Sequence, residues 1–224
     1  MKMRFPIVCC FLAIAVFSAC KKDSTRESSV AQPSAPAMPA PAASAPTAPA
    51  TDASADASAK MAAAEWAMKQ NEIKTDPNGQ WAIQASASST YGDAQGVASF
   101  SANQATGAPN VDTYGDNGAA WTPKTPDGGI EWLDLKYPKP VHTSEVRIRE
   151  SCGSGSVIKV EVFDEQGAAH SVWQGNDSTT GLNYFVVKFP TTTFKSDRVK
   201  ITLATNVVPG WNEIDAVQLV GSDQ

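Results

Sequence analysis

The sequence predicts an all-β fold, an antiparallel β-sandwich or jelly roll that follows a disordered Ala/Pro-rich linker. Three observations carry this expectation. Apolar runs recur after residue 77 and are separated by Gly, Pro, Asn and Asp. Within those runs apolar and polar residues alternate with period two, as in strands that bury one face. The third observation is distribution: five of the six Trp lie after residue 80, while Ala, Ser, Pro and Thr crowd the first third. A core can therefore form only from 77–224, which suffices for one sandwich.

From the N-terminus, residues 1–19 read as an export signal. Lys2 and Arg4 precede an apolar stretch, Pro6–Phe17, that is shorter than the roughly twenty residues a spanning helix needs. The stretch ends in Phe17-Ser18-Ala19-Cys20. Small residues before a Cys resemble the lipobox of bacterial lipoproteins, which implies cleavage after Ala19 and a lipid anchor on Cys20. An ordinary secretory cleavage at the same bond is the alternative. Acyl chains attach a protein through about 0.8 kcal/mol per buried methylene, with no transmembrane helix. In such lipoproteins an Asp after the Cys implies inner-membrane retention, so Lys21 implies the outer membrane and a cell-envelope location, periplasmic or surface.

Residues 20–62 read as linker. Pro33, Pro36, Pro39, Pro41, Pro46 and Pro49 block helix hydrogen bonding and favour extended polyproline II, a semi-stiff spacer of ~3.1 Å per residue. A short helix is expected over 63–76, ended by the turn signal Asp76-Pro77-Asn78-Gly79.

The clearest strands are 145–150, 157–163, 184–189, 198–203 and 214–220. Val146 and Ile148 alternate with Arg147 and Arg149; Ile158, Val160 and Val162 alternate with Lys159 and Glu161; Val199, Ile201 and Leu203 alternate with Lys200 and Thr202. The run 130–135 slips phase between Trp132 and Leu133, which suggests a bulge or a strand covered on both faces. Seven to nine such strands, with no long helix among them, imply a sandwich or jelly roll.

Order then adds a family signal. Ala85-Ser-Ala-Ser-Ser-Thr-Tyr91, Gln104-Ala-Thr-Gly107, Gly115-Asp-Asn-Gly-Ala-Ala-Trp121, Glu131-Trp-Leu-Asp-Leu135 and the ending Glu213-Ile-Asp-Ala-Val-Gln-Leu-Val-Gly221 follow one another as in discoidin-type domains. The segment resembles these coagulation-factor C-type, or galactose-binding-like, domains along 77–224. It lacks the two Cys that bridge the ends of the vertebrate members, so it fits the bacterial branch. The resemblance implies a binding module and a structural Ca²⁺ between the loop 110–117 and the start of the last strand.

Candidate Ca²⁺ ligands are Asp112, Asp116, Asn117, Glu213 and Asp215, with backbone carbonyls such as that of Ala105. Hard oxygen ligands on a Gly-containing loop suit this ion, which takes six to eight oxygens at about 2.4 Å. The same side chains also suit a solvated turn. Candidate ligand-binding residues are Tyr91, Tyr114, Trp173 and Trp211 near predicted loops, whose flat faces could stack on sugar C–H surfaces. Arg147 and Arg149 form a candidate basic stripe on one strand face, with an ordinary solvated face as the alternative. Packing is the alternative for each aromatic, and Trp121 and Trp132 are expected in the core.

Charge and side-chain inventory exclude other classes. The formal net charge of −5 becomes −7 once Lys2 and Arg4 leave with residues 1–19. An acidic chain without a Lys/Arg cluster has no footprint for nucleic acid. His142 and His170 are the only histidines, and Gly153-Ser154-Gly155-Ser156 is not the Gly-x-Ser-x-Gly elbow of a hydrolase. Cys152 is expected as a small buried residue beside a turn, with pairing to another chain as the alternative. The function predicted is a non-catalytic binding module for carbohydrate on a lipid-anchored envelope protein. The alternative is a protein-interaction or scaffold lipoprotein of the envelope.

Overall fold

The computed structural model describes residues 53–91 and 99–224. The segment expected to be an export signal (1–19), Cys20 and the expected linker as far as residue 52 lie outside the described residues. The elements in chain order are α1 (Ala53–Lys74), β1 (Gly79–Trp81), β2 (Gln84–Ala87), β3 (Ile130–Cys152), β4 (Val157–Phe163), β5 (Ala169–Gln174), β6 (Asn183–Lys188), β7 (Lys195–Ala204) and β8 (Glu213–Ser222).

All strand pairings are antiparallel, in the order β1-β8-β3-β7-β4-β5, with β2 and β6 also on β3. The 23-residue β3 explains how one ladder makes two layers. Its first half, 130–136, pairs with β2 and β7, whereas 142–152 pairs with β8 and 145–150 with β6. Between them lies Pro138-Lys139-Pro140, where pairing with β7 breaks. Proline has no N–H for a ladder, so the chain turns there and changes layer.

The core fills the space between the halves. Leu133, Leu135, Val160, Val162, Val199, Ile201 and Leu203 face Val146, Ile148, Val187, Val217 and Leu219. Each contributes about 1.5–3 kcal/mol on burial. Trp121 is fully buried; its indole N–H donates to the Ser89 carbonyl at 3.1 Å, and its backbone exchanges two hydrogen bonds with Ile214.

Three local expectations change. Pairing with β7 is unbroken over 130–136, so the phase slip is no bulge. Leu133 points into the core, while Trp132 faces outward, half-buried under the Lys200 ammonium at 4.7 Å. Helix α1 begins at Ala53 rather than 63, within the segment read as linker. Prolines stop at Pro49, and the Ala-rich run beyond has high helix propensity. Asp56 in the first turn, Lys74 in the last and the Asp56–Lys60 pair at 2.8 Å suit the helix dipole and the i,i+4 spacing.

The third change concerns the face predicted to be wet. The C-terminal end of α1 covers part of it. The Gln218 amide donates to the Ile73 carbonyl at 2.9 Å, Arg149 donates to the Gln70 side chain, and Arg147 pairs with Asp76 at 2.8 Å. Between residues 54 and 74 only Gln70 and Ile73 are buried.

Candidate functional site

The end of the sandwich carrying the starts of β4 and β8 also gathers the chain segments after β2 and before Trp121. There Tyr91, Phe100 and Trp211 meet edge-to-face. The Tyr91 ring lies 5.2 Å from Phe100 at 84° and 5.1 Å from Trp211 at 75°. This geometry is favoured by ring quadrupoles. Tyr91 is exposed, and Phe100 and Trp211 are half-exposed. Phe100 takes φ 64, a left-handed conformation rare for a bulky side chain. Its N–H donates to Gly118 at 2.9 Å and its carbonyl accepts from Thr122, which hold it there.

Trp211 is fixed by its flanks. The Gly210 N–H donates to Asp127, the Asn212 side chain to the Gly153 carbonyl at 2.7 Å, and the Thr122 hydroxyl to the Asn212 carbonyl. The Gly153 N–H donates to the Tyr114 hydroxyl at 3.1 Å, which brings this exposed Tyr to the same turn. Tyr91, Tyr114 and Trp211 therefore share one end of the domain. Trp173 does not join them: it packs against Phe185 at 4.8 Å and beside the core.

The arginines serve the helix junction. Arg149 is 3% exposed, lies 5.0 Å from the Tyr184 ring centre and 5.4 Å from Trp66, and reaches the Val111 carbonyl. Arg147 pairs with Glu145 and Asp76 and donates to Gln218. Strand alternation had placed both on a solvated stripe; α1 covers that stripe instead.

The acidic residues divide into two groups. Asp215 accepts from the backbone N–H of Asn110 and Val111 and lies 4.0 Å from Arg149. Glu213 accepts from the Asn117 N–H at 3.1 Å. Burial, then the neighbouring Asp116, push Glu213 up to about 8. Asp112 is exposed on the surface near Arg149. Among the described residues no three His, Cys, Asp or Glu side chains stand close enough to hold a metal ion. Asp116, Asn117 and Glu213 come together, and Asp215 is committed to amides and a guanidinium. Cys152 is half-buried, and burial followed by Glu213 and Asp116 raise its thiol, which favours the inert protonated form.

With this geometry in hand, comparisons place the chain. The family described as pappalysin-1, SD scarf domain, C-terminal, matches residues 71–224. The chain belongs to this family. No curated relative matches the sequence. Among solved structures, the scarf domain is similar to the family 32 CBM from C. perfringens NanJ in complex with galactose, at 18% identity, a TM-score of 0.46, and coverage of 63% of this chain and 98% of the other. It is also similar to chitosan-binding module 1 from the chitosanase/glucanase of Paenibacillus sp. IK-5, at 15% identity, a TM-score of 0.46, and coverage of 62% and 94%. A third is the lectin domain of lectinolysin complexed with Lewis B antigen, at 20%, 0.45, and coverage of 62% and 92%. At these scores the likeness assigns neither ligand nor site.

Two features of the scarf domain escaped sequence reasoning. Phe100 sits in Ser99-Phe-Ser101, where an aromatic between small polar residues was the available signal. Glu150 and Asp177 form a pair, 2% and 5% exposed, each with a carboxylate oxygen that has no hydrogen-bond partner. Burial, then Asp177, push Glu150 up to about 8, so it keeps its proton at neutral pH. Glu150 lies in an alternating strand segment, and nothing in the sequence marks Asp177 as its partner.

Proposed function

We propose that this chain is a non-catalytic carbohydrate-binding module, displayed at the cell envelope by a lipid anchor on Cys20. The observation that carries the binding part is the Tyr91–Phe100–Trp211 cluster. Tyr91 is exposed and Phe100 and Trp211 are half-exposed, and the residues flanking Trp211 are anchored by hydrogen bonds that do not involve the rings. Evolution towards stability alone would bury such rings or avoid the strained Phe100 backbone, whereas stacking on a sugar uses both the exposed rings and the fixed geometry. Tyr114 extends the same surface across the Gly153 turn.

Glycan-array binding of the chain from Lys21, with Tyr91→Ala and Trp211→Ala beside it, tests the reading. Selective binding lost in both variants supports it. A folded chain that binds no glycan overturns it and directs the search to crosslinked protein partners in the envelope.

A further inference from the structure

Beside the aromatic cluster lies a pocket of about 230 Å³. Ala85, Ala87 and Ala102 line it with methyl groups, and Thr90, Ser101 and Asn103 with polar ones. It shares its backbone with the cluster: Thr90 precedes Tyr91 and Ser101 follows Phe100. The residues at β2 that pack towards the core are Ala85 and Ala87, where the neighbouring strands present Leu, Val and Ile. Larger side chains there would add burial, since interiors pack densely and voids cost stability. β2 is paired by β3 alone, and residues 101–103 stand across the pocket from it.

Ser101 supplies an independent sign. It is 3% exposed, it lines the pocket, and its hydroxyl has no hydrogen-bond partner. Buried hydroxyls are normally paired, so this one lacks a partner that a ligand or a water would bring. A methyl floor with hydroxyl and amide walls matches a pyranose, which offers C–H patches and hydroxyls on one ring. The volume lies below the roughly 300–1,000 Å³ of pockets for drug-sized ligands, which suits a single sugar unit.

We propose that this pocket is a second sugar subsite, so that the ligand is an oligosaccharide of at least two residues, one stacked on the Tyr91–Trp211 surface and the next seated against Ser101. This rests on the carbohydrate reading above and narrows it. The first sugar is held by aromatic faces and the second by shape and hydroxyls, so affinity depends on chain length.

The test is titration calorimetry on the chain from Lys21, using galactose and lactose, and N-acetylglucosamine and chitobiose, as probes. At least one disaccharide is expected to bind about tenfold more tightly than its monosaccharide, equivalent to ~1.4 kcal/mol. Ala87→Leu, which fills the pocket, should bring that disaccharide down to the monosaccharide's affinity. Ser101→Ala, which leaves packing nearly intact, should lose part of the same advantage and guards against misfolding of the first variant. A chain-length advantage that is absent, or that survives both substitutions in folded protein, overturns the subsite and leaves the aromatic site standing. A folded wild-type chain that binds no sugar on the glycan array overturns the carbohydrate reading and the subsite together.

Discussion

At Gly153 the backbone takes φ +53, and a β-carbon there would collide with the Trp211 carbonyl and the Asn212 amide. The turn can approach Trp211 this closely because it has no side chain. Gly153→Ala is expected to destabilise the domain by about 1–2 kcal/mol from the left-handed backbone alone, and more from the collision. It should also shift Trp211 fluorescence in the folded state. Urea denaturation followed by fluorescence reads both, and an unchanged midpoint with an unchanged spectrum would refute the contact. Glu150 is a different case, in which charge rather than space is at stake. It is buried against Asp177 and keeps its proton to about pH 8, against an ordinary value of 4.5. Between those values the folded chain binds a proton that the unfolded chain has released, so stability falls as pH rises through that window. Above about 8 this contribution is gone. Thermal melting from pH 5 to 8.5 should show the decline, and Glu150→Gln, which keeps a neutral side chain in place, should flatten it. A slope identical in the variant would assign the decline to other groups, with Glu213 first among them.

Helix α1 shows what an element can hide from sequence reading. Its composition favours a helix, but its contacts come from residues scattered along the chain. Gln70, Ile73 and Asp76 meet Gln218, Arg149 and Arg147 across β3 and β8. Period-two alternation correctly assigned Val146 and Ile148 to the core and Arg147 and Arg149 to the opposite face. It could not say that α1 would cover that face, because alternation reports which side a residue takes and not what lies on it. The same logic separates success from failure elsewhere. β4 was read at its observed limits, Val157–Phe163, but Val157 rather than Ile158 joins Val160 and Val162 in the core, because the pairing with β7 shifts register between Val157 and Lys159. β5, with Ala169-His-Ser at its start, offers too little apolar contrast to be singled out. In the site, Tyr91, Tyr114 and Trp211 were legible because aromatics stand beside turn residues. Phe100 was not, because its role depends on a contact with Tyr91 that only the fold creates. Removing residues 53–74 should then expose Arg149 and leave Gln218 without its Ile73 partner. Loss of a hydrogen bond to a charged group costs about 1.5–3 kcal/mol, so the urea midpoint should fall by at least that equivalent. A midpoint that stays put would mean that α1 rests on the sandwich without stabilising it.

At the scale of the whole molecule the chain joins two kinds of sequence with different physical jobs. Residues 77–224 carry the apolar alternation that builds the sandwich, and the loop end presents the rings. The residues before α1 carry a short apolar stretch, a Cys after small residues and a proline-rich run, none of which can build a core. A weak, multi-contact sugar site gains most when many copies are held on one surface, since binding to a polymer by several tethered modules multiplies modest affinities. Lipid attachment at Cys20 would supply that surface, and the proline spacer the reach. The prediction is specific to one sulfur. Cys20→Ser should leave the fold and the isolated sugar affinity unchanged, because residues 53–91 and 99–224 hold every contact described for the site. In cells, however, the variant should move from the detergent phase to the aqueous phase on phase partitioning, and binding of whole cells to an immobilised glycan should fall with it. If the variant still partitions with detergent, the anchor is not on this Cys. If it becomes aqueous while cells bind glycan as before, surface display is not how this module works.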